Sequence, residues 1–146
     1  MKRNLVVQGI TLWFLLMASA GCTIGRAVEA EKMYVLASAL TKLSASVEAT
    51  VRYENPPDGI SDKDLLVLST KHEPGLMEPF ADYTLRVSQE DAHAVVLACD
   101  KDGKVGLLED AGCSSEMDRH LWNESPPKPC DFTVKAREVC PEPPKQ

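Results

Sequence analysis

Four cysteines in the last third of the chain, Cys99, Cys113, Cys130 and Cys140, constrain its fold more than any other feature. If they pair, the elements that carry them must meet with Cα atoms roughly 4.4–6.8 Å apart. Whether they pair depends on the redox compartment, because disulfides persist outside the reducing cytosol. The N-terminus speaks to that.

Lys2 and Arg3 put positive charge at the start. An apolar run follows from Leu5 to Ala18, densest at Leu12-Trp13-Phe14-Leu15-Leu16-Met17, and small residues come next. Basic, apolar and small in that order is a secretory signal peptide. The run is about 14 residues, whereas a spanning helix needs roughly 20, so a retained membrane helix fits less well. Residues 1–21 are read as the signal peptide.

Two cleavage sites overlap. Ala18-Ser19-Ala20 is an A-x-A site whose use releases a soluble chain beginning at Gly21. Ala20-Gly21-Cys22 resembles the end of a bacterial lipobox, with Ser19 standing where that family usually has Leu. The resemblance implies that Cys22 is lipidated and becomes the first residue. It also implies an outer-membrane lipoprotein facing the periplasm, since Thr23 rather than Asp follows the cysteine. Cysteine arithmetic favours this reading: five cysteines are odd in an exported protein, and setting Cys22 aside leaves four for two bridges. More than one acyl chain is needed for stable anchoring, and a multiply acylated cysteine supplies that.

Removing Lys2 and Arg3 leaves 14 basic against 22 acidic residues, a net charge of −8. An acidic chain without a basic cluster argues against nucleic acid and against anionic lipid head groups as partners. Six of the ten prolines follow Ser125, so residues 126–146 form a segment of different character.

Residues 22–28 read as a tether. From Glu29 the spacing turns helical: Met33, Ala37, Leu40, Ser44, Val47 and Val51 recur at threes and fours. Asn55-Pro56-Pro57 stops this helix, since a residue before proline avoids helical dihedrals. Val47, Ala49, Val51 and Tyr53 also alternate as a strand would, but one helix to about Arg52 is preferred. Ser61 reads as the N-cap of a short second helix, with Asp64 as its acidic partner, running to about Lys71. Leu76, Met77 and Phe80 make a further turn limited by Pro79. Three strands follow, Tyr83–Ser88, Ala92–Cys99 and Lys104–Glu109, with Asp102-Gly103 as the hairpin signal between the last two. Ala94 to Ala98 is apolar on both faces, which suits a central strand. Ser114 to Trp122 reads as a short helix, and Phe132 and Val134 as a last strand or docked segment.

The expected fold is α+β: a long N-terminal helix and a short second helix packed on a three-stranded antiparallel meander. Residues 29–125 form the domain, and a disulfide bonds the Pro-rich C-terminal segment. A long helix, a small antiparallel sheet and a C-terminal cysteine pair resemble pilin-like proteins at fold level alone.

Four cysteines allow three connectivities. With Asp102-Gly103 as the loop, Lys101 faces Lys104 and Cys99 faces Gly106. Cys113 would then face Ala92, over about 20 Å from Cys99 at roughly 3.3 Å per residue. Cys99–Cys113 with Cys130–Cys140 is the favoured pairing, on condition that the third strand ends near Glu109 and Gly112 lets the chain fold back. The other two pairings pin the tail onto the sheet.

Sites for chemistry are sparse. Asp100, Asp102, Glu109 and Asp110 do not fit an EF-hand, since Lys104, Val105 and Ala111 occupy its required positions, and they read as a solvated turn. His72, His93 and His120 show no H-x-x-x-H spacing. Asp91-x-His93 and Asp118-x-His120 could join a hydrolase or metal site in three dimensions. No G-x-S-x-G, C-x-x-C or Gly-rich phosphate loop occurs. Tyr83, Arg86, Arg119 and Trp122 could form a recognition patch. The expectation is therefore a non-enzymatic envelope lipoprotein without cofactor or metal, anchored by Cys22 and binding or supporting another envelope protein. The alternatives are a soluble exported enzyme using His93 or His120 and a periplasmic inhibitor or immunity-type protein.

Overall fold

Helix α1 spans Gly21–Tyr53. It belongs to a computed structural model that describes the backbone of residues 21–140 and the side chains of residues 29–140. Residues 1–20, which hold all but the last residue of the expected signal peptide, the side chain of Cys22 and residues 141–146 lie outside the described residues. The chain divides into two units, residues 1–34 and 35–146. In the first, residues 21–34 are helical, so the stretch expected as a tether has helical backbone. The rest of the fold belongs to the second.

From Leu36 onward, α1 buries Leu36, Leu40, Leu43, Val47 and Val51, one stripe at helical spacing. The competing strand alternation fails physically: Ala49 and Tyr53, which it would place inside, are exposed, while Glu48, which it would place outside, is buried. The helix ends at Tyr53, just before Asn55-Pro56, with Asn55 at φ 48°. Helix α2, Asp62–Ser69, begins as expected: the Asp64 N–H donates to Ser61 Oγ at 3.2 Å, and Ser61 Oγ donates to the Asp64 carboxylate at 2.7 Å. A cap of this kind contributes roughly 0.5–2 kcal/mol. The chain then makes a 3₁₀ turn over Pro74–Phe80 and buries Phe80.

The sheet is the expected antiparallel meander in the order β1-β2-β3: β1 Thr84–Glu90, β2 His93–Cys99, β3 Gly106–Ala111. Glu90 pairs with His93 across a tight Asp91-Ala92 loop, with Asp91 at φ 55°. The second hairpin turns at Gly103, φ 67°. Asp100 fastens it by accepting the N–H groups of Lys104 and Val105 at 2.6 and 2.9 Å. These bonds hold its carboxyl below the ordinary carboxylate range. Asp100 and Asp102 build the turn, but Glu109 and Asp110, expected as solvated acids, lie in β3 and are fully buried, because each finds hydrogen-bond donors there.

Cys99 pairs with Gly106, as the loop geometry requires, and the register then slips between Ala98 and Cys99. Ala98 faces Leu108 and Val95 faces Ala111. The third strand therefore runs past Glu109 to Ala111, and the Gly112 N–H still bonds Ala94 O at 3.1 Å. Cys113 is carried to the His93 end of β2, six positions and roughly 20 Å from Cys99. The favoured Cys99–Cys113 pairing is thereby excluded. The bridges are Cys99–Cys130 and Cys113–Cys140, one of the two patterns that pin the tail. With sequence separations of 31 and 27, each contributes roughly 3.5–4 kcal/mol by loop closure.

Gly112 has a role other than folding the chain back. A Cβ there would lie 2.1 Å from Ser44 O and 2.5 Å from Glu48 Cβ. Only glycine lets α1 approach the sheet this closely.

Strand β2 is buried throughout, as a central strand should be. Its Val95 packs with Ala111, Val134, Ala136 and Cys140, and its Leu97 and Cys99 with Leu121 and Cys130. The tail thus covers the face that those residues share, while Ser44 of α1 bonds Asp110 on the opposite face. The helix expected over Ser114–Trp122 does not form. Arg119 and Glu109 exchange backbone hydrogen bonds at 2.9 and 3.1 Å, the Asp118 carboxylate accepts the Ala111 N–H at 2.7 Å, and helix is confined to a 3₁₀ turn at Leu121–Asn123. These pairings with β3 satisfy the backbone in extended form, so a helix has nothing to add. Phe132 and Val134 dock without forming a strand, followed by the one-turn helix α3, Ala136–Val139.

Candidate functional site

Three buried carboxylates organise the second unit, and each fastens a different segment. Glu109 is fully buried on β3. It accepts hydrogen bonds from Thr133 N, Thr133 Oγ1 and Val134 N at 2.7, 2.6 and 2.9 Å, so it holds the tail down. Asp110, its neighbour, points to the other face, where Ser44 Oγ and the Asp118 N–H donate to it. Burial pushes its carboxyl up to about 6; the Ser44 bond opposes the shift and the Asp118 charge adds to it.

Glu48, the third, forms the arrangement with most chemical potential. It lies one turn after Ser44 on α1 and reaches the first residue of β2. Its Oε1 is 2.7 Å from His93 Nδ1, and its Oε2 accepts the Ala94 N–H at 2.8 Å. Arg52, one turn further along the helix, stands 3.8 Å from Oε1. His93 is buried, at 8% exposure. A ring nitrogen of His93 and the Sγ atoms of Cys113 and Cys140 all lie within 4.8 Å of one another. Among the described residues this is the one group of three side chains able to hold a metal ion. With the sulfurs bonded to each other, neither is a thiolate ligand.

The other candidates are placed as follows. His72 is exposed in the turn after α2, and His120 is half-buried immediately before the 3₁₀ turn Leu121–Asn123. Asp91 is exposed in the first hairpin. Of the recognition residues, Tyr83, Arg86, Arg119 and Trp122 are all half-buried. The two guanidinium groups are engaged within the chain. Arg86 Nη1 donates to Cys130 O, lies 3.4 Å from the Asp131 carboxylate, and its guanidinium stacks 5.3 Å from the Phe132 ring centre. Arg119 Nη2 bonds Glu124 at 2.6 Å, and this bond holds the Glu124 carboxyl below its ordinary range. Arg86 therefore helps to fix the C-terminal segment, and Arg119 fastens the stretch that leads into it.

The sequence reading missed Glu48, Ser44 and Gly112. A glutamate in the apolar stripe of a helix was the available signal, because a buried acid needs a partner.

Surface grooves are present among the described residues. One, of about 560 Å³, lies between α1 and the 3₁₀ turn, lined by Val35, Ser38, Ala39, Lys42, Leu76 and Pro79 among others. Val35 is 66% exposed there. A smaller one of about 230 Å³ lies at Glu90, Asp91 and Arg137. Among the described residues no helix is long and apolar enough to cross a membrane. The two disulfides place the domain in an oxidising compartment. Comparison with protein-family models, curated proteins and solved structures finds no match to this chain.

Proposed function

We propose that the chain is an exported, non-enzymatic lipoprotein of the cell envelope, held at the outer membrane by acylated Cys22, whose folded domain binds another envelope protein. One observation carries the anchoring: Cys99–Cys130 and Cys113–Cys140 use all four downstream cysteines, and Cys22 is the one of five outside the two bridges. A cysteine following Ala20-Gly21 is where lipid attachment is expected. Palmitate labelling of the wild-type protein, lost in Cys22→Ala, is the expected result. Equal labelling of the variant would refute the anchor.

The binding role is supported by the groove between α1 and the 3₁₀ turn. Its walls are apolar at Val35, Ala39, Leu76 and Pro79, and its rim carries Lys42 and Glu73. That composition suits a short apolar peptide segment of a partner, fixed in direction by opposite charges. A tagged chain is expected to co-purify with a partner, and Ala39→Glu in the groove is expected to abolish capture without changing the fold. Undiminished capture by Ala39→Glu would place the interaction elsewhere. The buried Glu48–His93 pair is the observation that favours the second reading, an exported enzyme, although neither residue lines either groove.

A further inference from the structure

We propose that reduction of Cys113–Cys140 turns this corner of the domain into a binding site for a thiophilic divalent cation such as Zn²⁺. The ligands are Cys113 Sγ, Cys140 Sγ and His93 Nε2, and Glu48 orients the histidine. The inference is independent of lipid anchoring and of the groove.

Three features of the structure point there. First, the donors are already together: one ring nitrogen of His93 and both sulfurs lie within 4.8 Å of one another. Two thiolates and an imidazole are the donor set of Cys₂His zinc sites, with water or a further ligand completing four-coordination. Second, the histidine is set up to ligate. A carboxylate can only accept, so the 2.7 Å contact with Glu48 places the proton on Nδ1 and leaves the Nε2 lone pair for a metal. A carboxylate on the far nitrogen of a ligating histidine is the usual supporting partner, and here the Ala94 N–H fixes that carboxylate in turn. Third, the sulfurs need to move little. Cys113 is half-buried just after β3, and Cys140 follows the four-residue helix α3. At Zn–S distances of about 2.3 Å, tetrahedral sulfurs sit roughly 3.8 Å apart, a separation within reach of side-chain rotation once the bond is broken.

The chemistry balances with a dithiol as reductant. Its two electrons and two protons break the Sγ–Sγ bond and give two thiols, while a new disulfide forms in the dithiol. Cation binding then expels both thiol protons to solvent. In an oxidising compartment the bridge is the resting form, so metal binding reports local dithiol reduction.

The test uses the full chain in detergent, carrying Cys22→Ser so that this thiol cannot contribute, with Co²⁺ as the probe. After dithiol reduction and removal of the reductant, one Co²⁺ is expected to bind, with thiolate-to-cobalt charge-transfer absorption and tetrahedral d–d bands. The oxidised protein should show neither. His93→Gln should weaken binding at least tenfold. Glu48→Gln, which retains a carbonyl acceptor for the Nδ1 proton, should weaken it by about 10–100-fold. The Cys113→Ser/Cys140→Ser variant should abolish the charge-transfer band. Far-UV circular dichroism of each variant checks folding, and recovery of structure on adding Co²⁺ to reduced protein would support the site. Three results would overturn it: absence of binding by reduced protein, binding of equal strength in His93→Gln, or an undiminished charge-transfer band in the double serine variant.

Discussion

Asp110→Asn should gain stability relative to the wild-type protein as pH rises from about 3.5 to 8. In the native protein the Asp110 carboxyl is fully buried and is raised from 3.8 to about 6. The folded state therefore binds a proton that the unfolded state has already lost between those two values. Stability from this group is complete below about pH 3.8 and is lost as pH rises through 6. The full loss is about 3 kcal/mol, from a shift of roughly two units at 1.36 kcal/mol each. Asparagine mimics the protonated acid here. Its carbonyl can accept the Asp118 N–H, and its amide can donate to Ser44 Oγ, which can donate in turn to Thr41 O at 3.0 Å. The second amide hydrogen has no acceptor among these partners, which adds a cost of about 1 kcal/mol or more that does not vary with pH. Urea unfolding of oxidised protein, followed by Trp122 fluorescence at intervals from pH 3.5 to 8, measures both stabilities. From the acid end to above pH 7 the variant should gain about 2–3 kcal/mol relative to wild type, on top of that constant cost. Other titrating groups cancel in the difference. A difference constant within about 0.5 kcal/mol across the range would refute the assignment of a strained buried charge to Asp110.

Gly112→Ala should destabilise the domain by about 2–3 kcal/mol or more, because its Cβ meets the Ser44 carbonyl oxygen and α1 must retreat; thermal unfolding reads this directly. Glu109→Ala removes the acceptor for three donors at Thr133 and Val134 and should cost about 3 kcal/mol, with hydrogen exchange at those amides rising well before that of β2. Cys130→Ala should lower stability by roughly 3–4 kcal/mol and make residues near 125–135 accessible to protease, since the remaining bridge at Cys140 still holds the end of the tail. Arg86→Gln should have a smaller effect of about 1 kcal/mol in urea unfolding, because its partner Asp131 is largely exposed and the losses are the bond to the Cys130 carbonyl and the ring contact with Phe132.

What could be read along the chain was local. The stripe of α1, its stop before Asn55-Pro56, the Ser61 cap, the central character of β2 and the turn at Gly103 all follow from neighbours a few residues apart. Periodicity, capping and turn chemistry act over that range, so the α+β class was legible without coordinates. The cysteine pairing was not. It turned on where β3 ends: pairing with β2 continues past Glu109 to Ala111 and leaves Cys113 at the His93 end of β2, far from its expected partner. Nothing in the local pattern marks that end, because Glu109 and Asp110 read as exposed acids and the groups that bury them lie far along the chain. Nor could the sequence assign Glu48, Asp110 and Gly112. Ser44 and Asp110 are 66 residues apart and Glu48 and His93 are 45 apart, so their roles exist only once α1 lies against the end of the sheet. The sequence by itself determined the two main helices, the three-stranded meander and that the four downstream cysteines act as crosslinks. The tertiary structure decided which sulfurs meet and which acids are buried, because both depend on register and close approach between elements distant along the chain.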